Sequence, residues 1–327
     1  MNKKALFNFL RIFVSAGLVL FLFWLMRDSI GDVASAIKMA DRPLLFVSFL
    51  LFAFIMGLFG IRLRIIMRAQ NLKVSLKEIV HLTFVGHFFN NFLPTAAGGD
   101  IVKAYYVSKK TGRKLHSVAC ILLDRFLGIF TFVLIVLTIA LFVKGVIISK
   151  VIQIFLVATI SGFFIIGIIL FSKRAAKKMP LLDSISRLFK AEEKMKGLYD
   201  LIYNYKAHLG LLLTAIAISL LLQSGMFCSV YLIVKSLGFS IPLKNVFLLM
   251  PMIAMASMAP SINGLGVRES AFVFFFGPLV GKEGAFAISL LWLGVNFCVS
   301  LIGGGIYILS KQYGIGGMGR EGRSIQT

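Results

Sequence analysis

Two apolar stretches of this chain are interrupted in the same way, at Asn90-Asn91-Phe92-Leu93-Pro94-Thr95-Ala96-Ala97-Gly98-Gly99-Asp100 and at Pro260-Ser261-Ile262-Asn263-Gly264-Leu265-Gly266-Val267-Arg268-Glu269. Backbone that leaves helical geometry inside a bilayer exposes N–H and C=O groups that lipid cannot satisfy, so such breaks must face protein or a wet cavity. Paired breaks in matching positions of two halves point to a transport site. The bilayer itself is implied by the rest of the chain. With 59% hydrophobic residues, 15% charged residues and a mean hydropathy of +0.93, the chain lies far from the soluble range of about half apolar and a quarter charged. Apolar runs fall at about 7–26, 44–60, 118–143, 151–171, 209–234 and 285–309, each with roughly the 17–25 residues a spanning helix needs. The first run follows Lys3 and Lys4, but Phe21-Leu22-Phe23-Trp24-Leu25-Met26 offers no small-residue cleavage site and reads as a retained helix.

Composition and motif searches exclude several classes. Cys120, Cys228 and Cys298 sit in apolar segments without CxxC spacing, which argues against disulfides and structural zinc. His81 and His87 are six apart and do not share the helix face that an i, i+4 metal pair requires, so they read as structural or hydrogen-bonding residues. The net charge of +22 is spread as short basic clusters beside apolar helices, a pattern that sets membrane orientation rather than one that binds nucleic acid. No P-loop, HExxH, dinucleotide fingerprint or nucleophile–base set is visible, so the sequence names no catalytic residue, metal or cofactor.

Loop charges give an orientation. With Lys3, Lys4 and Arg11 assigned to the cytoplasm, residues 61–78 (Arg62, Arg64, Arg68, Lys73, Lys77) and 101–116 (Lys103, Lys109, Lys110, Arg113, Lys114) read as two cytoplasmic loops. The segment 79–94 between them must then enter and leave on one side as a re-entrant hairpin. The 172–208 segment reads as the largest cytoplasmic connection, with a short surface helix around Glu192-Glu193-Lys194-Met195-Lys196. By the same count, 246–260 enters from outside, breaks, and returns as 267–281, and the last helix delivers Lys311, Arg320 and Arg323 to the cytoplasm. One hairpin from each face is the pattern of an inverted-topology repeat. The expected fold is therefore an all-α polytopic membrane protein, one transmembrane domain with about six spanning helices, two re-entrant broken-helix hairpins and repeat halves at about 44–143 and 209–309.

The candidate substrate-binding residues cluster at the breaks. A helix is expected to start at Ile101 in the first hairpin and near Val267 in the second, and helix N-termini offer free N–H groups and partial positive charge to phosphate or carboxylate. Gly98, Gly99, Asp100 and Lys103 line the first break, and Asn263, Gly264, Gly266, Arg268 and Glu269 the second. Arg268 supplies a guanidinium fork matched to phosphate oxygens and Lys103 a point charge. The plainer alternative makes Asp100 an N-cap, Asn263 a turn residue and Arg268–Glu269 a local pair. Asp124 and Arg125 lie inside the apolar run from Val118. Either Arg125 contacts substrate phosphate with Asp124 orienting it, or the two form an interhelical clamp.

The runs Leu93-Pro94-Thr95-Ala96-Ala97-Gly98-Gly99-Asp100-Ile101-Val102-Lys103-Ala104-Tyr105, Leu122-Leu123-Asp124-Arg125-Phe126-Leu127-Gly128 and Pro260 to Glu269, in this order and spacing, resemble the lysylphosphatidylglycerol synthase transmembrane-region family over nearly the whole chain. The resemblance implies a flippase-like membrane protein, the lipid-translocating part of aminoacyl-phosphatidylglycerol synthases. Eighteen residues follow Leu309, so the soluble aminoacyltransferase domain is not expected, and a lysyltransferase activity would need a separate catalytic chain. Lys103 stands where the family often has arginine, and Asp124 where it often has glutamate. The expectation is a multi-pass protein of the cell membrane, both termini cytoplasmic, that moves an anionic phospholipid or polyprenyl-phosphate-type lipid between leaflets. Its partners would be the bilayer and an anionic lipid headgroup, with room for an oligomer or a partner lipid-modifying enzyme. The competing readings are a membrane subunit of an aminoacyl-phosphatidylglycerol synthase and a scaffold that transports nothing.

Overall fold

The computed structural model describes residues 30–93, 97–142, 192–258 and 264–310, together with 157, 161 and 162. Among these residues the chain is helical, with no strand. The apolar run expected at 7–26, all but residues 157, 161 and 162 of the run at 151–171, the connection at 172–191, Asn263 and the basic residues of both termini lie outside the described residues.

Helix α1 spans Ile30–Met39. Helix α2, Arg42–Ala69, starts where the Asp41 carboxylate accepts the Leu44 N–H at 3.0 Å and Pro43 occupies a first-turn position that has no intrahelical N–H to give. Helix α3, Leu76–Phe92, opens on a capping box between Ser75 and Glu78. It stops at Leu93, whose extended backbone is what a following proline demands. Helix α4, Gly98–Thr111, ends on Gly112 in the left-handed region at φ 69°, and α5 spans Lys114–Phe142. Helix α6, Glu192–Asn204, leads through one 3₁₀ turn at Tyr205–His208 into α7, Leu209–Ser236. Helix α8 spans Leu243–Ala256, and α9, Val267–Leu309, is broken at Gly281 by φ 78° and ψ 160°.

The first expected loop is helix over most of its length, and the second holds the helix expected from Ile101. The run that begins at residue 44 continues as helix to Ala69, and residues 101–111 belong to α4. Arginine and lysine are good helix formers, and loop assignment from charge alone ignored a cation that turns inward. Among the described residues, four helical stretches are long and apolar enough to cross a bilayer: Arg42–Ala69, Lys114–Ile139, Gly197–Ser236 and Val267–Leu309. Large apolar side chains such as Phe46, Phe54, Leu213, Leu221 and Ile308 are exposed on their outer faces, the side that lipid would cover. The chain is an all-α membrane protein.

Helices α3 and α4 form a hairpin. Asn90 meets Gly99, Lys103 lies over Gly86, and Lys110 pairs with Glu78, so α4 returns antiparallel along α3. At roughly 25 Å and 21 Å, neither arm is comfortable as a full crossing. The arms touch because two glycines meet: a Cβ on Gly99 would stand 1.8 Å from the Gly86 carbonyl oxygen.

The second half repeats the first. Helices α2 and α7 are both 28 residues long, and their first residues are 167 positions apart, as are those of α3 and α8. The first half-helix of α9 runs from Val267 to the break at Gly281 just as α4 runs from Gly98 to Gly112, at a spacing of 169. Packing obeys the same exchange. Helix α1 packs on α9 and α6 on α5, α3 on α9 and α8 on α5, α2 on α3 and α7 on α8, α2 on α9 and α7 on α5. The equivalent helices α2 and α7 pack against each other, with the hydroxyl of Ser48 near the start of α2 donating to the Ser229 carbonyl near the end of α7 at 2.9 Å. Arg62, toward the other end of α2, donates to Ser219 toward the start of α7 at 3.1 Å. They are therefore antiparallel, and two equivalent units whose matching helices run antiparallel are inverted with respect to one another. Ser48 and Ser229 bond reciprocally, and Gly225 lets the tip of Ile55 approach to where a Cβ would stand 2.5 Å away, which seats the two helices closely.

Candidate functional site

Ala97 occupies the N-cap position of α4 without a side-chain cap, and the Gly99 N–H is satisfied by the Asn90 carbonyl oxygen at 2.7 Å. The helix starts at Gly98, three residues earlier than expected, which places Asp100 inside the first turn and not at the cap. There its two carboxylate oxygens take one cation each: Oδ1 meets Lys103 Nζ at 2.8 Å and Oδ2 meets Arg125 Nη1 at 2.5 Å. Asp100 and Lys103 side chains are 18% and 13% exposed and Arg125 33%, so a mostly buried carboxylate is flanked by two cations, one from its own helix and one from α5. Lys103 extends over Gly86, where a Cβ would approach its side chain to 2.9 Å. Gly86 thus makes room for the ammonium arm.

Helix α5 points its two adjacent charges to different places, as residues about 100° apart must. Arg125 reaches the hairpin at Asp100, whereas Asp124 turns to α2 and accepts from Arg62 Nε at 2.7 Å. Arg62 is 4% exposed and also donates to Ser219 Oγ on α7 at 3.1 Å. Gln223 on α7 donates to the Gly128 carbonyl at 3.3 Å beside this pair. Asp124 therefore joins α2, α5 and α7, and it does not contact Arg125's partner Asp100.

In the second break, Gly264 and Gly266 have φ of 74° and 82°, conformations that glycine adopts freely. A Cβ on Gly264 would also press to 3.0 Å on Ser257. Helix α9 begins at Val267, where expected, and Glu269 closes the turn through Oε2, which accepts the Gly266 N–H at 2.7 Å. Its Oε1 accepts Arg268 Nη2 at 2.7 Å and Nε at 3.0 Å. Asp100 and Glu269, 169 positions apart, occupy the same place in the two units. Their neighbours differ: the first carboxylate holds two cations from two helices, the second holds its own neighbour and its own cap.

The structure brings Gly98, Gly99, Asp100, Lys103 and Arg125 together at one break and Gly264, Gly266, Arg268 and Glu269 at the other. Sequence reasoning assigned no role to Arg62, Gly86, Asn90, Ser219 or Gln223. Arg62 carried a readable signal, because it follows Ile55 and precedes Ile66 at helical spacing on the buried face of α2. His87, on the same hairpin, lies 3.4 Å from the Asn296 carbonyl of α9. No group of three or more histidine, cysteine or acidic side chains that could hold a metal occurs among the described residues.

The proteins to which this chain is similar are also membrane proteins. A UPF0104 membrane protein of Pyrococcus horikoshii is 25% identical over 93% of this chain and 97% of its own length. Two UPF0104 membrane proteins of Methanothermobacter thermautotrophicus are 26% and 24% identical, over 75% and 89% of this chain and 78% and 92% of their own lengths. No solved structure matches the chain. The family model described as the lysylphosphatidylglycerol synthase TM region matches residues 8–304, so this multi-pass membrane protein belongs to that family.

Proposed function

We propose that the protein is a flippase-like transporter that moves an anionic lipid, a phospholipid or a polyprenyl-phosphate-type lipid, between leaflets of the cell membrane, with both termini cytoplasmic. The observation that carries this reading is the convergence of Lys103 and Arg125 on one carboxylate at the start of α4. Two cations held at a helix N-terminus inside a membrane protein attract an anion by full charge, by donor geometry and by the partial charge of free N–H groups. Charge in such a setting is costly unless it is used. The inverted units supply the second ingredient, since opposed repeats meeting at broken helices can expose one site to either side by rocking. The headgroup would lie between the hairpins while the acyl chains stay in lipid. At the second break, Arg268 is engaged by Glu269 in an arrangement that completes the turn, so the weight of headgroup binding falls on the first break.

Leaflet exchange of fluorescent phosphatidylglycerol in proteoliposomes tests the reading. Arg125→Ala should slow exchange at least about tenfold, and Arg125→Lys, which keeps charge but not the fork, should fall between. Exchange at the parental rate by a normally folded Arg125→Ala protein would overturn the proposal.

A further inference from the structure

We infer that the end of the molecule where α3 begins and α4 ends is a second lipid-binding surface, a belt of cations that holds anionic phospholipid headgroups of the adjoining leaflet. The belt lies at the base of the α3–α4 hairpin, away from the proposed headgroup site at the first break, and does not depend on that site.

The belt is assembled from turns that are distant in the chain. Lys110, in the last turn of α4, pairs with Glu78 in the first turn of α3. Arg113, between α4 and α5, donates to the Gln70 carbonyl, between α2 and α3, at 3.4 Å. These two contacts draw Lys73 and Lys77 from one turn and Lys109 and Lys114 from the other to one end of the molecule, where all six cations are exposed. Glu78 is the acid set among them, and its oxygens are engaged: one accepts from Lys110, the other from the Ser75 N–H and hydroxyl at 3.0 Å and 2.7 Å. Lys73, Lys77 and Lys114 pair with no acid among the described residues. Like charges on neighbouring turns oppose each other, and an anion from outside the protein relieves that repulsion. Membrane orientation alone does not call for such an assembly, because it depends on how many cations flank a helix end and not on whether separate turns touch.

The depth of the belt identifies the anion. Lys109 stands one turn from the exposed Tyr105, Lys114 one turn from the exposed Val118, and Lys77 beside the exposed Leu76; side chains one helical turn apart are surface neighbours. Cations interleaved with exposed apolar and tyrosine side chains lie where hydrocarbon gives way to headgroups, the level of lipid phosphate and not of an acidic soluble protein. Clusters of basic side chains at that level attract anionic lipids. At the opposite end of the molecule, Lys38, Arg42 and Lys282 are interspersed with Asp32, Asp41 and Glu283, so the cation belt has no match there.

The probes are phosphatidylglycerol and phosphatidylcholine, each spin-labelled on an acyl chain, with the full protein in phosphatidylcholine nanodiscs. Electron spin resonance reads the fraction of each lipid immobilised at the protein surface. In about 0.01 M salt phosphatidylglycerol should be held at least about threefold more strongly, and the preference should vanish near 1 M, where charges are screened beyond about 3 Å. Lys73→Gln with Lys77→Gln and Lys114→Gln should remove at least about half of the preference. The same loss of charge at the other end, Lys38→Gln with Arg42→Gln and Lys282→Gln, should leave it nearly whole, and so should Arg125→Ala. Where the first triple variant does not fold, its three single variants should each show part of the loss. A parent protein without preference, a preference that salt does not change, or equal losses from the two triple variants would overturn the inference. So would loss of the whole preference in Arg125→Ala, which would return the lipid to the first break. Leaflet exchange is measured separately, so a failed belt leaves the transport proposal standing, and failed transport leaves the belt.

Discussion

Removing the Asp124 carboxylate should be among the most damaging single changes in this protein, and the reason is its partner. Arg62 is 4% exposed and has two hydrogen-bonded partners, the Asp124 carboxylate at 2.7 Å and the Ser219 hydroxyl at 3.1 Å. Asp124→Ala leaves a guanidinium in the interior with a neutral hydroxyl and the Phe59 ring but no counter-charge, and breaking a buried pair from one side costs about 3–5 kcal/mol. Ser219→Ala removes one hydrogen bond and leaves the ion pair, so it should cost about 1 kcal/mol. The double change Arg62→Met with Asp124→Leu removes both charges and fills the space, and such replacements are often neutral or stabilising. The expected order of stability is therefore parent near the double variant, Ser219→Ala slightly lower, and Asp124→Ala lowest. Unfolding in mixed micelles, followed by tryptophan fluorescence or thiol accessibility, measures it. A double variant as unstable as Asp124→Ala would refute the electrostatic account and show that Asp124 matters through something other than Arg62.

Two further outcomes follow from the packing. Gly99→Ala should split the α3–α4 hairpin, because the new methyl would stand 1.8 Å from the Gly86 carbonyl oxygen, and Gly303→Ala should be as harmful at 2.0 Å from that of Phe84, whereas Gly112→Ala meets open space and should cost only about 1–2 kcal/mol through its left-handed backbone. Protease resistance of the purified variants ranks them, and a fully stable Gly99→Ala protein would refute the close approach. Cysteines at Lys110 and Asp32 in a cysteine-free background should react with an impermeant reagent from opposite sides, with Lys110 cytoplasmic; labelling of both from one side would refute the proposed orientation.

What could be read from the sequence was what local chemistry dictates. Leu93 before Pro94 cannot continue a helix easily, Gly264 and Gly266 permit left-handed backbone, and runs of twenty apolar residues need a bilayer, so the breaks and the helical class were legible from neighbours in the chain. Partnerships were not. Arg62 and Asp124 are 62 positions apart, and no property of either names the other. Counting cations as loop markers placed Arg62 in a loop, although it sits within α2 facing the interior. The start of α4 at Gly98 rather than Ile101 likewise depends on Asn90, which supplies from the preceding helix the acceptor that a cap residue would otherwise provide. The equivalence of the two units was visible only in part, as two interrupted apolar stretches and opposite loop charges; the exchange of packing partners shows only in the folded chain.

The glycine seam between α3 and α9 has a mechanical meaning. At Gly303 and Gly304, α9 meets the Phe84 carbonyl and the Phe88 ring so closely that a single methyl group would have no place. By the repeat spacing of 169, the same two places on α5, where α8 packs, are filled by Leu134 and Ile135. The α3–α9 joint is backbone on backbone, short and stiff, whereas the branched side chains at the equivalent positions of α5 can change rotamer. Two units built alike thus differ in stiffness along their flanks, and the α3–α9 flank, with no side chain between the backbones, is the one that yields least.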